Sequence, residues 1–484
     1  MRVSSVALAA SAATLTSAIN LAPRSDNPRV INLDINKKSV NPIAHDRARL
    51  RKRADVVQES LDNELTLYYA DISLGTPAQQ IKVSIDTGSS DLWVNSADSS
   101  ICSGYSSQCE GGTYDQSASS SATVVNSDFN ISYVDGSGAS GDYVTDTLTF
   151  GGVTLDKFQF GIGEESTSLM GVLGIGYTTI ETQVLYANDE PYPNLPKALV
   201  NQGYINTAAY SLWLNDLDSS TGSILFGGVN TAKYSGDLTT VPVLGASDGT
   251  VGGIYYELAV ALSGVEFGGT SMAGSDELPI AAVLDSGTSL IYLPSAIVDN
   301  IYNEVNVEVD QGVAYAYCED ADSDKKLSFT FSGVTIEVPM DELYISVGTD
   351  ENGQPYTFRN GKEACIFGVA SVDGGTPLLG DTFLRSAYVV YDLANNEISL
   401  AQTVFNSTNT DNIQEITDTV PGAVAASTTI TSVINVATSI GQVGGATATA
   451  TGDLGLPSNA AAWNKPAAMF GGAAAGVAGL AALL

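Results

Sequence analysis

The chain is 484 residues long and carries 20 Lys and Arg against 54 Asp and Glu, a formal net charge of −34, with a single histidine. So acidic a chain lacks the basic surface that neutralises phosphates, which argues against nucleic acid as a partner. The one histidine, His45, lies in a stretch read as removed, so the remaining chain can run neither Ser-His-Asp nor Cys-His catalysis and can hold no His-ligated metal.

Residues 1–18 read as a secretion signal: Arg2 gives the positive start, Val6 to Leu15 the apolar stretch, and Thr16-Ser17-Ala18 the small-residue cleavage site. Residues 19–53 read as a propeptide, with nine Lys and Arg against three Asp. They end in Arg51-Lys52-Arg53, so cutting by a dibasic-processing protease is expected after Lys52 and Arg53. From residue 64 onward Gly, Ser, Thr, Val and Ile dominate, in short alternating runs such as Leu65-Thr66-Leu67-Tyr68-Tyr69, which predicts an all-β body. Leu74-Gly75-Thr76-Pro77 reads as a turn between its first two strands.

The next stretch, Val83-Ser84-Ile85-Asp86-Thr87-Gly88-Ser89-Ser90, is an apolar run followed by Asp, a hydroxyl residue, Gly and another hydroxyl. The run reads as a buried strand and the Gly as a tight turn, so Asp86 sits where a core strand ends. The same design returns 199 residues later in Ala282-Val283-Leu284-Asp285-Ser286-Gly287-Thr288-Ser289. The flanks repeat too: Asp91-Leu92-Trp93-Val94 and Leu290-Ile291-Tyr292-Leu293 follow the motifs, and Val172-Leu173-Gly174 and Leu378-Leu379-Gly380 follow later in each half. An internal duplication into two lobes is expected, each giving one Asp to a shared cleft. Gly227-Gly228-Val229 to Val241-Pro242-Val243 reads as the crossing between them.

A pair of carboxylates held together cannot both ionise readily, so one keeps a proton and the other does not. The ionised one can take a proton from water as it attacks a peptide carbonyl, while the protonated one hydrogen-bonds the carbonyl oxygen. Such chemistry needs no metal, no cofactor and no covalent intermediate.

This order of motifs resembles the pepsin-like aspartic proteases over roughly residues 64 to 404, and among them the GPI-linked fungal branch of yapsin and candidapepsin type. The resemblance implies an all-β, bilobal pepsin-like fold, with an N-terminal lobe over 54–236 and a C-terminal lobe over 237–404. It implies Asp86 and Asp285 as the catalytic pair, held coplanar by Thr87, Gly88 and Ser89 and by Ser286, Gly287 and Thr288. Ile131 to Gly138 resembles the flap hairpin that closes over substrate, with Tyr133 as the flap tyrosine and Trp93 as its hydrogen-bonding tryptophan. Val134 stands where most relatives have Gly. Asp135 falls where some fungal relatives place an Asp that reaches the pocket on the acyl side of the scissile bond, which implies cleavage after Lys or Arg as well as after large apolar residues. An even cysteine count in a secreted chain favours disulfides over metal, and four cysteines allow three connectivities. The family pattern selects Cys102 with Cys109 and Cys318 with Cys365. The basic propeptide is expected to dock on the acidic body and cover the cleft until low pH weakens the attraction.

After Phe405 the composition changes. Residues 405–459 hold 16 Ser and Thr and no Lys or Arg, which reads as a disordered, O-glycosylated stalk. Asn130-Ile131-Ser132 and Asn406-Ser407-Thr408 are N-glycosylation sequons. Small residues from Ser458 to Ala462 and an apolar tail to Leu484 have the layout of a GPI signal, with attachment expected at Asn459, Ser458 and Ala460 being the alternatives, and loss of 460–484. The expected protein is therefore a cell-surface aspartic endopeptidase that acts as a monomer on protein or peptide substrates. Its other partners would be its own propeptide, the dibasic protease and the GPI lipid. The alternatives are a catalytically inactive pepsin-fold binder or inhibitor and a cell-wall glycoprotein. Both motifs are complete, which favours the enzyme.

Overall fold

A computed structural model describes residues 29–39, 66–103, 109–133, 137–245, 254–274, 276–310, 312–349, 353–372, 375–408 and 410–434. The signal at 1–18, the cleavage residues Lys52 and Arg53, Val134, Asp135, Asn459 and the 460–484 tail lie outside the described residues.

The strand Gln79–Asp86 shows why the sequence folds as it does. Its alternation turns Ile81, Val83 and Ile85 into the core while Gln80, Lys82 and Ser84 face the other way. It pairs in parallel with Gly171–Gly174, which pairs antiparallel with Leu92–Asn95. The second half repeats this arrangement: Ile280–Leu284 pairs in parallel with Leu378–Leu379, which pairs antiparallel with Ile291–Leu293. The duplicated motifs thus fold into duplicated strand triplets, and the fold is the bilobal, mostly β one expected. Helices are short. The longest α-helix among the described residues, Ser295–Val305, buries Ile297, Val298, Ile301 and Val305 on one face and stops at Asn306 in the left-handed region.

Fourteen strands form one sheet that runs from the first lobe into the second. Ala387–Asp392 and Glu397–Thr403, late in the chain, pair with Ala209–Trp213 and Tyr234–Pro242 from its middle. The strand Ile31–Ser39, from the expected propeptide, also lies inside this sheet. It pairs with Thr221–Phe226 from Ile31↔Phe226 to Asn36↔Thr221, and with Thr66–Leu74 from Asn36↔Tyr69 to Ser39↔Thr66. Ile31, Leu33 and Ile35 are buried in the main core, and Asn32 and Asp34 face out. Residues 31–39, within the stretch expected to be a propeptide covering the cleft, therefore form an interior strand of the sheet. Alternating apolar side chains and two rows of backbone hydrogen bonds outweigh exposed charge attraction, which contributes little.

A second correction concerns the expected stalk. Residues 410–434 strap the body. Ile413–Glu415 pairs with Gly228–Asn230, and Ala423–Ala425 pairs in parallel with Leu238 to Thr240. Ile416 and Val420 are buried. Ile430 and Val433 then pack on Ala259, Ala261, Ala281 and Val283, the outer face of the second-lobe sheet. The Ile430 amide donates to Ser332 Oγ at 3.2 Å and the Ile434 amide to the Pro279 carbonyl at 2.9 Å. This covering explains why Ile280–Leu284 is apolar at every position: its other face, Ile280, Ala282 and Leu284, belongs to the main core. Ile416, Val420, Ile430 and Val433 are spaced through a polar run, and a compositional average hides them. Both disulfides are the implied ones, Cys102–Cys109 and Cys318–Cys365, with Cα–Cα distances of 5.2 and 5.0 Å.

Candidate active site

Each Asp of the two motifs leaves the end of a core strand and enters a turn, and the two turns meet. The residues after the Asp pair hold each other. Thr87 Oγ1 donates to the Leu284 carbonyl at 2.9 Å and accepts from the Ser286 amide at 2.9 Å. Ser286 Oγ donates to the Ile85 carbonyl at 3.1 Å and accepts from the Thr87 amide at 3.2 Å. Thr87 and Ser286 are buried, so these four bonds are shielded from water. Beneath them Tyr391 donates to the Leu284 carbonyl at 3.2 Å and stacks on Tyr210 with ring centres 5.0 Å apart.

Each carboxylate is fixed by its own turn in the same way. Asp86 accepts from the Gly88 amide at 2.8 Å and from Ser89 Oγ at 2.5 Å. Asp285 accepts from the Gly287 amide at 2.9 Å and from Thr288 Oγ1 at 2.6 Å. The glycines allow the close approach. A Cβ on Gly88 would lie 2.7 Å from Asp285 Oδ1, and one on Gly287 would lie 2.5 Å from Asp86 Oδ1. Asp86 is 7% exposed, whereas Asp285 is half-buried at the cleft. Burial, and then the neighbouring Asp285 carboxyl, push Asp86 well above the usual carboxylate range, although Ser89 and Gly88 pull it back. The pair can therefore share one proton, with Asp86 the better holder, and present one acid and one base to the same small volume.

The two residues expected at the flap meet in the structure. Trp93 Nε1 donates to Tyr133 Oη at 2.8 Å, and the Tyr133 amide closes onto the Ser137 carbonyl at 2.8 Å. Tyr133 packs with the cluster of Trp93, Phe129, Ile131 and Tyr143, and lies near enough to Asp86 to be raised by its charge as well as by burial. Asn130 is exposed on the same hairpin, so its sequon is open to modification. Asn406 is also exposed, but its Nδ2 already donates to Asp216.

Sequence reasoning missed the support behind the first motif. Asp91 is fully buried and accepts from Tyr143 Oη at 2.6 Å, Tyr192 Oη at 2.8 Å and the Thr182 amide at 2.9 Å. Burial raises Asp91, and these donors oppose the shift. It anchors the start of Leu92–Asn95 and so the position of Trp93. An Asp directly after the motif was visible, but its partners lie 52 to 101 residues away and carry no local signal.

The interlock gives a direct test. Thr87→Val keeps the shape but removes a buried donor and acceptor, leaving the Ser286 amide unpaired and the Leu284 carbonyl with the Tyr391 hydroxyl alone. A loss of about 2–4 kcal/mol in unfolding free energy is expected by denaturant titration. Thr87→Ser should retain most of it, and equal losses for the two variants would show that the interlock does not stabilise the structure.

The family model for eukaryotic aspartyl proteases matches residues 67–403. The chain is 52% identical over 422 residues to the "Probable aspartic-type endopeptidase opsB" of Aspergillus oryzae, covering 85% of this chain and 84% of that protein. It is 37% identical to candidapepsin of Candida tropicalis, over 79% of this chain and 90% of that one. It is 33% identical to aspartic proteinase 3 of Saccharomyces cerevisiae, over 78% and 77%. Together with the paired carboxylates and the interlocked turns, these matches establish that the chain belongs to the pepsin-like aspartyl protease family and is an aspartic-type endopeptidase.

Proposed function

We propose that this endopeptidase works at acid pH on the outer cell surface, with Asp86 and Asp285 as its catalytic dyad. The observation that carries the reading is the symmetric fixing of the two carboxylates, each by a Gly amide and a hydroxyl. A binding protein on this fold would have no need of that pre-organisation. In the reaction Asp285 takes a proton from water as its oxygen forms a bond to the scissile carbonyl carbon, and Asp86 gives its proton to the carbonyl oxygen. Collapse of the tetrahedral adduct breaks the C–N bond: the proton on Asp285 goes to the leaving amine, and one hydroxyl of the adduct returns its proton to Asp86 as the new carboxyl forms, so the pair again holds a single proton.

The active form needs that proton. Because Asp86 is raised, the singly protonated pair persists from acid into weakly acidic solution and is lost as pH rises through its raised value. Pepstatin-sensitive cleavage of peptides is expected at about pH 4, with kcat/KM falling toward and above neutrality. Asp86→Asn and Asp285→Asn should each lower kcat by roughly 10³-fold or more with little change in melting temperature. A folded variant that keeps a tenth of wild-type activity would remove the assignment.

The location rests on the two ends of the chain. The apolar start, the Arg51-Lys52-Arg53 run and the Ser458 to Leu484 layout support secretion, cutting before Ala54 and a GPI lipid at Asn459. Two deletions separate anchor from body. Removing 460–484 should release folded, active enzyme into the medium. Removing 410–484 also strips the strap, and burial of Ile416 and Val420 alone predicts a loss of about 3 kcal/mol, or roughly 5 °C in melting temperature. Retention on cells after the first deletion would overturn the anchor, and an unchanged melting temperature after the second would overturn the strap.

Specificity is the third part of the proposal. Asp135 lies two residues past Tyr133, whose hydroxyl is tied to Trp93. The resemblance and that position support a role for Asp135 in accepting Lys or Arg before the scissile bond. A peptide-library profile should show cleavage after basic and large apolar residues in wild type, with Asp135→Ala losing the basic class selectively. Equal loss of both classes would assign Asp135 to flap structure.

A further inference from the structure

Tyr133 follows the strand Thr123–Ser132, whose hairpin partner is Gly138–Phe150. Two polar contacts join this hairpin to the stretch behind the first motif. Near the tip Tyr133 Oη accepts from Trp93 Nε1 at 2.8 Å. Toward the base Tyr143, five residues past Gly138, donates its hydroxyl to Asp91 Oδ1 at 2.6 Å. Asp91 and Trp93 are two residues apart, so one short piece of backbone holds the hairpin at two heights.

The two contacts differ in kind. At the tip a single bond joins neutral groups, and Tyr133 is half-buried. At the base Asp91 and Tyr143 are both fully buried, and the bond between them belongs to a closed set. Oδ1 of Asp91 also accepts from Tyr192 Oη at 2.8 Å, and Oδ2 accepts from the Thr182 amide at 2.9 Å. The Thr182 hydroxyl lies 2.6 Å from Tyr143 Oη and donates to it, because the Tyr143 proton is committed to Asp91. Phe129 and Tyr192 pack edge-on to the Tyr143 ring, with centres 5.3 and 5.8 Å away. Both tyrosines reach the same oxygen, so the tie needs no charge: a proton taken up in acid would sit on Oδ2 and leave both bonds in place. A dry, mutually satisfied set resists opening, whereas a lone bond at the cleft can be exchanged for water or substrate.

The internal duplication shows what the acid is not for. The second motif leads into its strand Ile291–Leu293 with Leu290 at the place of Asp91, and Leu290 packs on an apolar cluster that includes Tyr315 and Ile366. Turn and strand therefore form without an acid, and a buried carboxyl is costly where nothing requires it. What Asp91 adds is the tie to the hairpin.

We propose that Asp91 and Tyr143 are positioning residues for closure over substrate: they fix the base of the hairpin, so that its tip, once released from Trp93, returns to one place above the dyad. The inference rests on the reading of this hairpin as a flap.

The test uses the full enzyme, a fluorogenic peptide and pepstatin. Tyr143→Phe and Tyr192→Phe each delete one hydroxyl from the same carboxyl oxygen, but only Tyr143 lies on the hairpin. Both should lower the melting temperature by a similar few degrees. Tyr143→Phe should also raise KM and the pepstatin Ki roughly fivefold, because binding must now order the hairpin, with kcat within about threefold and its pH profile unchanged. Tyr192→Phe should leave KM within about twofold. Thr182→Val, which removes only the hydroxyl that donates to Tyr143, should give a smaller rise of the same kind and carries the test if Tyr143→Phe does not fold. An unchanged KM in Tyr143→Phe would overturn the inference, and so would equal rises in Tyr143→Phe and Tyr192→Phe. A shifted pH profile of kcat would overturn it too, since Asp91 would then act on the dyad. Tyr133→Phe keeps the ring and loses the tip bond, and should raise KM; an unchanged KM there would strike the flap reading beneath.

Discussion

The constraint on which the rest depends is the meeting of two turns 199 residues apart through reciprocal hydroxyl bonds. Thr87 and Ser286 each reach across to the backbone of the other motif, so neither Asp can move without its partner. The strand triplets on either side deliver the turns in matching orientation. The joint sheet, with strands from the middle and end of the chain side by side, keeps the lobes from separating. Only then do the glycines matter, because each carboxylate lies where the other turn has no room for a side chain.

Crowding acids into a low-dielectric centre has a thermodynamic consequence. Burial raises Asp86, Asp91, Glu181 and Glu257 above their ordinary values, with Glu181 pushed up to about 9. A carboxyl that is raised in the folded state contributes stability that is full below its unfolded value near 4. That contribution is lost as pH rises through the folded value. Both the shared proton and the stability of the body therefore favour acid. The buried Arg385 works differently. It pairs with Glu342, donates to the Glu342 carbonyl at 2.7 Å, and so ties the second lobe to the helix Asp381–Leu384 just before it. Glu342 also accepts from the Leu217 amide at 2.8 Å, which extends the tie to the first half.

What was legible in the sequence was what local rules encode. Apolar runs ending in Asp, hydroxyl and Gly gave the strand ends and the turns, and their repetition gave the lobes. The disulfide pairing came from resemblance to a family, and the structure forms both bridges. The failures share a cause. Ile31, Leu33 and Ile35 alternate as a strand should, but the basic charge of their surroundings drew the reading toward the surface. Ile416, Val420, Ile430 and Val433 are buried apolar side chains set among Ser and Thr, and averaging erased them.

The strap also sets a length. Read by composition, the tether to Asn459 would begin at Phe405, and 54 residues of chain can span at most ~190 Å. Because the body holds the chain as far as Ile434, 25 residues remain, with a ceiling of ~90 Å. With a lipid at Asn459 as proposed, the cleft would sweep a shallow layer above the membrane and would meet only substrates that come within that layer. Lengthening the segment after Ile434, with nothing changed in the cleft, would deepen the layer and widen the set of proteins the enzyme can touch.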